Sequence, residues 1–182
     1  MPNTAIRLEA MQMAFEAQNQ QDLKRIANDS IKDAAMEDSQ ELAGIAVVAY
    51  SLYKILSKDH FVNNPAWPRV NAAIIGALKK SIFALARGSK KEYEKNMASV
   101  ALEIRGIDDR LSNYAQNIFE KGKIKQASTA YALGLSIGQA AWLTGAQRKA
   151  LQEYIGQTRI HDEQPPAKGI ARRLEELRKG LK

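Results

Sequence analysis

Four side chains between positions 147 and 152 have the chemistry to read a nucleic acid: Gln147, Arg148, Lys149 and Gln152. An arginine fork can bond two acceptors on one guanine. A glutamine can give and take a hydrogen bond on one adenine. A lysine supplies a point charge to phosphate. Leu151, Tyr154 and Ile155 fall between and after them at helical spacing, so one helix can bury the apolar set and present the polar one. Arg148 and Gln152 are the best candidates for base contacts. Glu153 is awkward on such a face, and either accepts from a cytosine amino group or points away. Lys123 and Lys125 before this stretch, and Arg159, Lys168, Arg172 and Arg173 after it, suit phosphate contacts.

Catalytic constellations are missing by contrast. The chain has no cysteine, which excludes thiolate nucleophiles, disulfides and cysteine-ligated zinc. Its two histidines, His60 and His161, are too far apart in sequence to be assembled into a triad. Neither a Gly-x-Ser-x-Gly elbow nor a glycine-rich phosphate loop occurs. The carboxylate pairs Asp108-Asp109 and Glu175-Glu176 are adjacent, so on a helix they diverge. The first pair suits a helix N-terminus, where the dipole favours negative charge. A non-enzymatic protein without cofactor or metal is the expectation.

Residues 135–156 position the four candidate side chains. Ser136 and Gln139 have the Ser-x-x-Gln spacing of a capping box, which starts a short helix. Small Ala140 and Ala141 precede Leu143, and Gly145 breaks the pattern where a turn needs positive φ. A second helix over residues 146–155 then ends at Gly156. The pattern resembles the helix-turn-helix of DNA-binding proteins. The resemblance is carried by Ala141 at the helix crossing, Gly145 in the turn, and Leu151 and Tyr154 facing the first helix. It implies that the second helix enters the major groove. A short helix over residues 124–133 would brace the pair, with Ala127, Ala130, Tyr131 and Leu133 inward. A plain packing hairpin uses the same small residues at its crossing.

The charge distribution points the same way. The net charge is +7, yet residues 1–120 hold 15 basic and 15 acidic side chains. Residues 121–182 hold 12 basic against 5 acidic, so the whole excess lies with the hairpin. Such asymmetry suits a polyanionic partner.

The remaining chain reads as helices, with no alternating pattern of strands. The first covers residues 5–19, with Ile6, Ala10, Met13 and Ala17 as its stripe and Leu8, Met11 and Phe15 widening it. Residues 23–35 follow. A strong helix spans residues 39–57, capped by Asp38 with Glu41 and apolar nearly all round, hence central. Gly44 within it and Gly76 in the next helix suggest a close helix–helix approach. Residues 58–67 read as an irregular connection in which Phe61 and Trp67 plug the end of the core. Pro68 starts a helix that Gly88 ends. Ser89 and Glu92 suit a capping box for the next, which buries Tyr93, Met97, Val100, Ala101 and Ile104 before Gly106 ends it. Residues 107–122 form another. Met11, Met13 and Met36 suit core filling.

The expected division is a helical bundle over residues 1–122, a helix-turn-helix module over 123–160, and a linker with a basic amphipathic helix over 161–182. Ile170, Leu174, Leu177 and Leu181 give that last helix a narrow stripe that can dock or pair. The start of the sequence, MPNTAIRLEAM, lacks a long apolar run, and the most apolar stretch, residues 42–53, is too short to span a bilayer. A cytoplasmic protein without a membrane partner is expected. The leading expectation is an all-α DNA-binding protein of the transcription-regulator kind, binding double-stranded DNA as a homodimer. The alternative is an interaction or adaptor protein whose basic C-terminal part binds an acidic protein. An RNA reader built on Tyr131, Trp142 and Tyr154 is a weaker variant, because their spacing suits packing.

Overall fold

A computed structural model of the chain describes residues 2–110 and 117–157. Every regular element among them is a helix: α1 (Pro2–Glu16), α2 (Gln20–Glu37), α3 (Gln40–Leu56), α4 (Asp59–Val62), α5 (Trp67–Ala86), α6 (Lys90–Arg110), α7 (Ile118–Ala132), α8 (Ile137–Thr144) and α9 (Arg148–Gln157). The all-α expectation is met. No described helix is long and apolar enough to cross a membrane.

α3 is the centre, as its nearly continuous apolar surface requires. It buries Leu42, Ala43, Ile45, Ala46, Val47, Val48, Ala49, Leu52 and Ile55, and packs against α1, α2, α4, α6, α7 and α8. Its cap differs from expectation. Ser39 accepts the Leu42 N–H at 3.3 Å, while Asp38 terminates α2 in the left-handed region at φ 53°. The two helices nearly abut, so one residue must reverse the chain, and a short polar side chain tolerates that conformation. Glu41 still serves, through a 2.7 Å ion pair to Lys90 that ties the start of α3 to the start of α6.

α1 turns its other side inward. Leu8, Met11, Ala14 and Phe15 are buried, whereas Ile6 and Met13 are more than 60% exposed. Met36 is exposed as well, so Met11 alone of these three methionines fills core. Apolar residues lie on both faces of α1, and periodicity within one helix cannot choose between them. Phe61 and Trp67 are buried beneath the α3–α5 connection, as expected, although residues 59–62 form a helical turn. Trp67 meets Phe15 edge-on at 6.2 Å.

Glycine positions divide by backbone angle. Gly88, Gly134 and Gly145 have positive φ and end helices. Gly106, Gly122 and Gly156 lie inside α6, α7 and α9, against the expectation that they stop them. A Cβ on Gly44 or Gly76 would meet nothing within 4 Å, so neither marks a close approach. The close approach is at Gly122, where a Cβ would lie 2.7 Å from Ser51 Oγ and 3.5 Å from the Val47 carbonyl oxygen of α3.

α7 therefore runs unbroken across the expected division between residues 122 and 123. Ile118 and Phe119 at its start belong to the main core with α1, α3, α5 and α6. Ala127 and Ala130 belong to a second core with Ile31 and Ala34 of α2, Leu42, Ala43 and Ala46 of α3, and the buried residues of α8 and α9. The hairpin is seated on the bundle through alanines, which let the helices lie close.

Candidate nucleic-acid interface

The hairpin is α8, residues 145–147, and α9. Ser136 accepts the Gln139 N–H at 3.2 Å, and the Gln139 side chain accepts the Ser136 N–H at 3.0 Å, so the capping box is closed in both directions. Gly145 takes φ 68°, and its N–H and that of Ala146 both donate to the Ala141 carbonyl. Two successive N–H groups thus satisfy one helix-end carbonyl, which makes the turn tight and defined. Gln40 Nε2 donates to the Trp142 carbonyl at 3.2 Å and ties the end of α8 to the start of α3.

α9 begins at Arg148, two residues later than the sequence suggests, and runs through Gly156 to Gln157. Leu151 is fully buried and Ile155 nearly so. Gln147, Arg148, Lys149, Gln152 and Glu153 are exposed. At about 100° per residue, Lys149 and Glu153 lie on the side of α9 turned away from Leu151 and Ile155, and Gln152 lies on the flank. Arg148, three positions before Leu151, is exposed because it stands in the first turn. Gln147 precedes the helix, and its carbonyl accepts the Leu151 N–H at 3.0 Å.

Arg148 and Lys149 occupy the first turn of α9, which holds no acidic residue. The N-terminal end of a helix carries partial positive charge, so each cation there costs roughly 0.3–1 kcal/mol, less where solvent screens it. Neither residue forms an ion pair among the described residues. A pair of cations held against the dipole, with no anion beside them among the described residues, is suited to an external one.

The other basic candidates are dispersed. Lys123 is mostly buried and committed. Its Nζ lies 3.0 and 3.1 Å from the two Glu120 oxygens and 5.3 Å from the Phe119 ring centre. Burial raises the Glu120 carboxyl, but hydrogen bonds from Arg105 and Lys123 outweigh it and hold the group below its ordinary value. Lys123 braces the base of α7, and its Cε lies 3.9 Å from the place of a Cβ on Gly145. Burial first, then the charges of Lys54 on α3 and Lys24 on α2, push the Lys125 ammonium below its ordinary value. Arg159, Lys168, Arg172 and Arg173, together with the linker and basic helix of residues 161–182, lie outside the described residues.

The chain matches no protein-family model, no curated protein and no solved structure. Any assignment therefore rests on the geometry of the hairpin itself.

Other expected features carry less. His60 is exposed and its ring lies 4.3 Å from that of Phe61, at the surface end of the core plug. Among the described residues no group of three or more metal-ligating side chains converges. Trp142, by contrast, is 55% exposed on α8 beside Gly138 and Gln139, a position that its place in an apolar run hides from sequence reading.

Proposed function

We propose that this chain binds double-stranded DNA through the α8–α9 hairpin, with α9 in the major groove. The observation that carries the reading is the first turn of α9. Two exposed cations, without an ion-pair partner among the described residues, sit there against the helix dipole, directly after a glycine turn. In such hairpins the N-terminal residues of the second helix contact base edges. Arg148 and Gln152 are assigned to bases, and Gln147 and Lys149 to the edge of the groove and its phosphates. α8 would cross the backbone, bringing Trp142 near phosphate.

A single hairpin offers little contact area, so sequence-specific binding calls for a homodimer on half-sites about 34 Å apart. A transcription-regulator role follows from specific binding.

The test is a gel shift with duplex DNA across a salt series. Arg148→Ala with Lys149→Ala should weaken binding at least tenfold and reduce the slope of log affinity against log salt by about 0.9, the one phosphate assigned to Lys149. Unchanged affinity and slope would remove α9 from the interface. No retention of wild-type protein on duplex at moderate salt, with capture of an acidic protein instead, would favour the adaptor reading.

A further inference from the structure

A second concentration of positive charge lies where α2, α3, α7 and α9 meet. Lys54 Nζ stands 5.6 Å from the Tyr50 ring centre and 5.1 Å from that of Tyr53. Lys24 Nζ stands 6.0 Å from the same Tyr53 ring. The two ammonium groups are thus no farther apart than the sum of their distances to that ring. Tyr50 and Tyr53 are themselves 6.0 Å apart and tilted. Tyr50 also abuts α7, with Cδ1 3.6 Å from the place of a Cβ on Gly122, one turn before Lys125.

Among the described residues no anion answers these charges, and none of Lys24, Lys54 and Lys125 forms an ion pair. The acids nearest in sequence to Lys24 and Lys125 are committed elsewhere: Asp22 to Arg25 at 2.9 Å, and Glu120 to Arg105 at 2.8 Å and Lys123 at 3.0 Å. Lys125 is half-buried, and both burial and the other two lysines disfavour its charged form. Repelling cations with flexible stems ordinarily spread into solvent. Here both Lys54 and Lys24 lie within cation–π reach of the one Tyr53 ring, an attraction worth about 0.5–1 kcal/mol at an exposed site.

We propose that Lys24, Lys54 and Lys125, framed by Tyr50 and Tyr53, bind adjacent phosphates on a surface separate from the α9 face. Three lysines on three helices supply point charges without the planar fork that reads bases, so the ligand class is closely spaced phosphates. A nucleic-acid strand and a free oligophosphate share that chemistry. Separation from the hairpin interface follows from helix geometry. Tyr154, the α9 residue whose phenol interacts with Tyr50, is two residues from Gln152 and so roughly 160° away around the helix. The inference does not depend on the DNA reading of α9.

The experiment uses the full chain. Tripolyphosphate is titrated by calorimetry, and a labelled oligothymidylate strand by anisotropy across a salt series. Wild type is compared with Lys24→Gln/Lys54→Gln/Lys125→Gln and with Arg148→Ala/Lys149→Ala. The lysine variant should bind tripolyphosphate at least tenfold more weakly. If the source is a nucleic-acid strand, its salt slope on oligothymidylate should also fall by roughly 2, at about 0.7 per charge on single strands. Loss of tripolyphosphate binding alone assigns the site to free oligophosphate. The arginine–lysine variant of α9 should keep its tripolyphosphate binding. Glutamine retains enough stem to cover the rings, and circular dichroism melts check folding. Lys24→Gln alone, at an exposed position, should give about a third of the slope change, and Lys54→Arg should retain binding. Wild type binding neither probe, or the lysine variant binding both as wild type does, overturns the proposal and marks the cluster as a solvated basic face. A failure of the α9 reading would appear separately, as duplex affinity indifferent to Arg148 and Lys149.

Discussion

Arg148 and Lys149 work against the helix that carries them. Both stand in the first turn of α9, which holds no acid. Replacing both with alanine removes two unfavourable charge–dipole contacts and improves helix propensity. The double variant should therefore hold or gain stability, by up to roughly 1 kcal/mol, while duplex affinity falls. Opposite signs in a thermal melt and a binding assay would separate a binding role from a packing role. Gln126 is the other telling side chain. It is 1% exposed, and among the described residues its Oε1 has no hydrogen-bond partner; nor has the Oγ of buried Ser30. A buried acceptor left unpaired costs about 1–3 kcal/mol. Gln126→Met keeps the volume and removes the orphan, so the denaturant midpoint should rise by the equivalent of about 1 kcal/mol.

Among elements, the contact between α3 and α7 is the most exacting. Ser51 Oγ donates to the Val47 carbonyl at 2.8 Å, so it cannot turn away from Gly122 without losing that bond inside the core. Gly122→Ala gains about 1 kcal/mol of helix propensity but drives a Cβ against that hydroxyl. The net expectation is a loss of about 1–2 kcal/mol, with overpacking outweighing propensity. Ser51→Ala in the same chain should recover most of it in a double-mutant cycle of denaturation midpoints. Gly44 gives the opposite case. It is inside α3 with open space where a Cβ would go, so Gly44→Ala should stabilise by about 0.5–1 kcal/mol.

The whole molecule is joined by phenols and ion pairs between helices that are distant in sequence. Tyr93 is buried on α6 and its ionisation is pushed upward, by burial first and then by Glu41 and Glu94. Burial and the neighbouring Tyr154 and Tyr53 push Tyr50 up to about 12. A group whose pKa is raised on folding contributes stability that is complete below its unfolded value and is lost as pH rises through its folded value. Phenol-linked stability should thus hold up to about pH 10 and decline from there toward pH 12. The melting temperature should drop by on the order of 5 °C in the first part of that range. Tyr50→Phe, which has nothing to ionise, should blunt the drop measured by circular dichroism.

Sequence periodicity alone determined that the chain is helical. It also marked α3 as central, since a helix apolar on all sides has nowhere else to go. Local signals were legible where the physics is local: the Ser136–Gln139 box and the left-handed Gly145 depend only on residues within one turn. Three features needed the tertiary structure. The buried face of α1 was decided by its neighbours, because Leu8, Met11 and Phe15 compete with Ile6 and Met13 on equal apolar terms. The role of each glycine was decided by backbone angle and by what stands opposite, so Gly122 became a seat for α3 and Gly145 a turn. The surroundings of each lysine were decided by packing. Lys123 is paired to Glu120, whereas Lys125, two residues on, is brought beside Lys24 and Lys54. Two positions along a helix are about 200° apart, and only the folded neighbours say what each one meets.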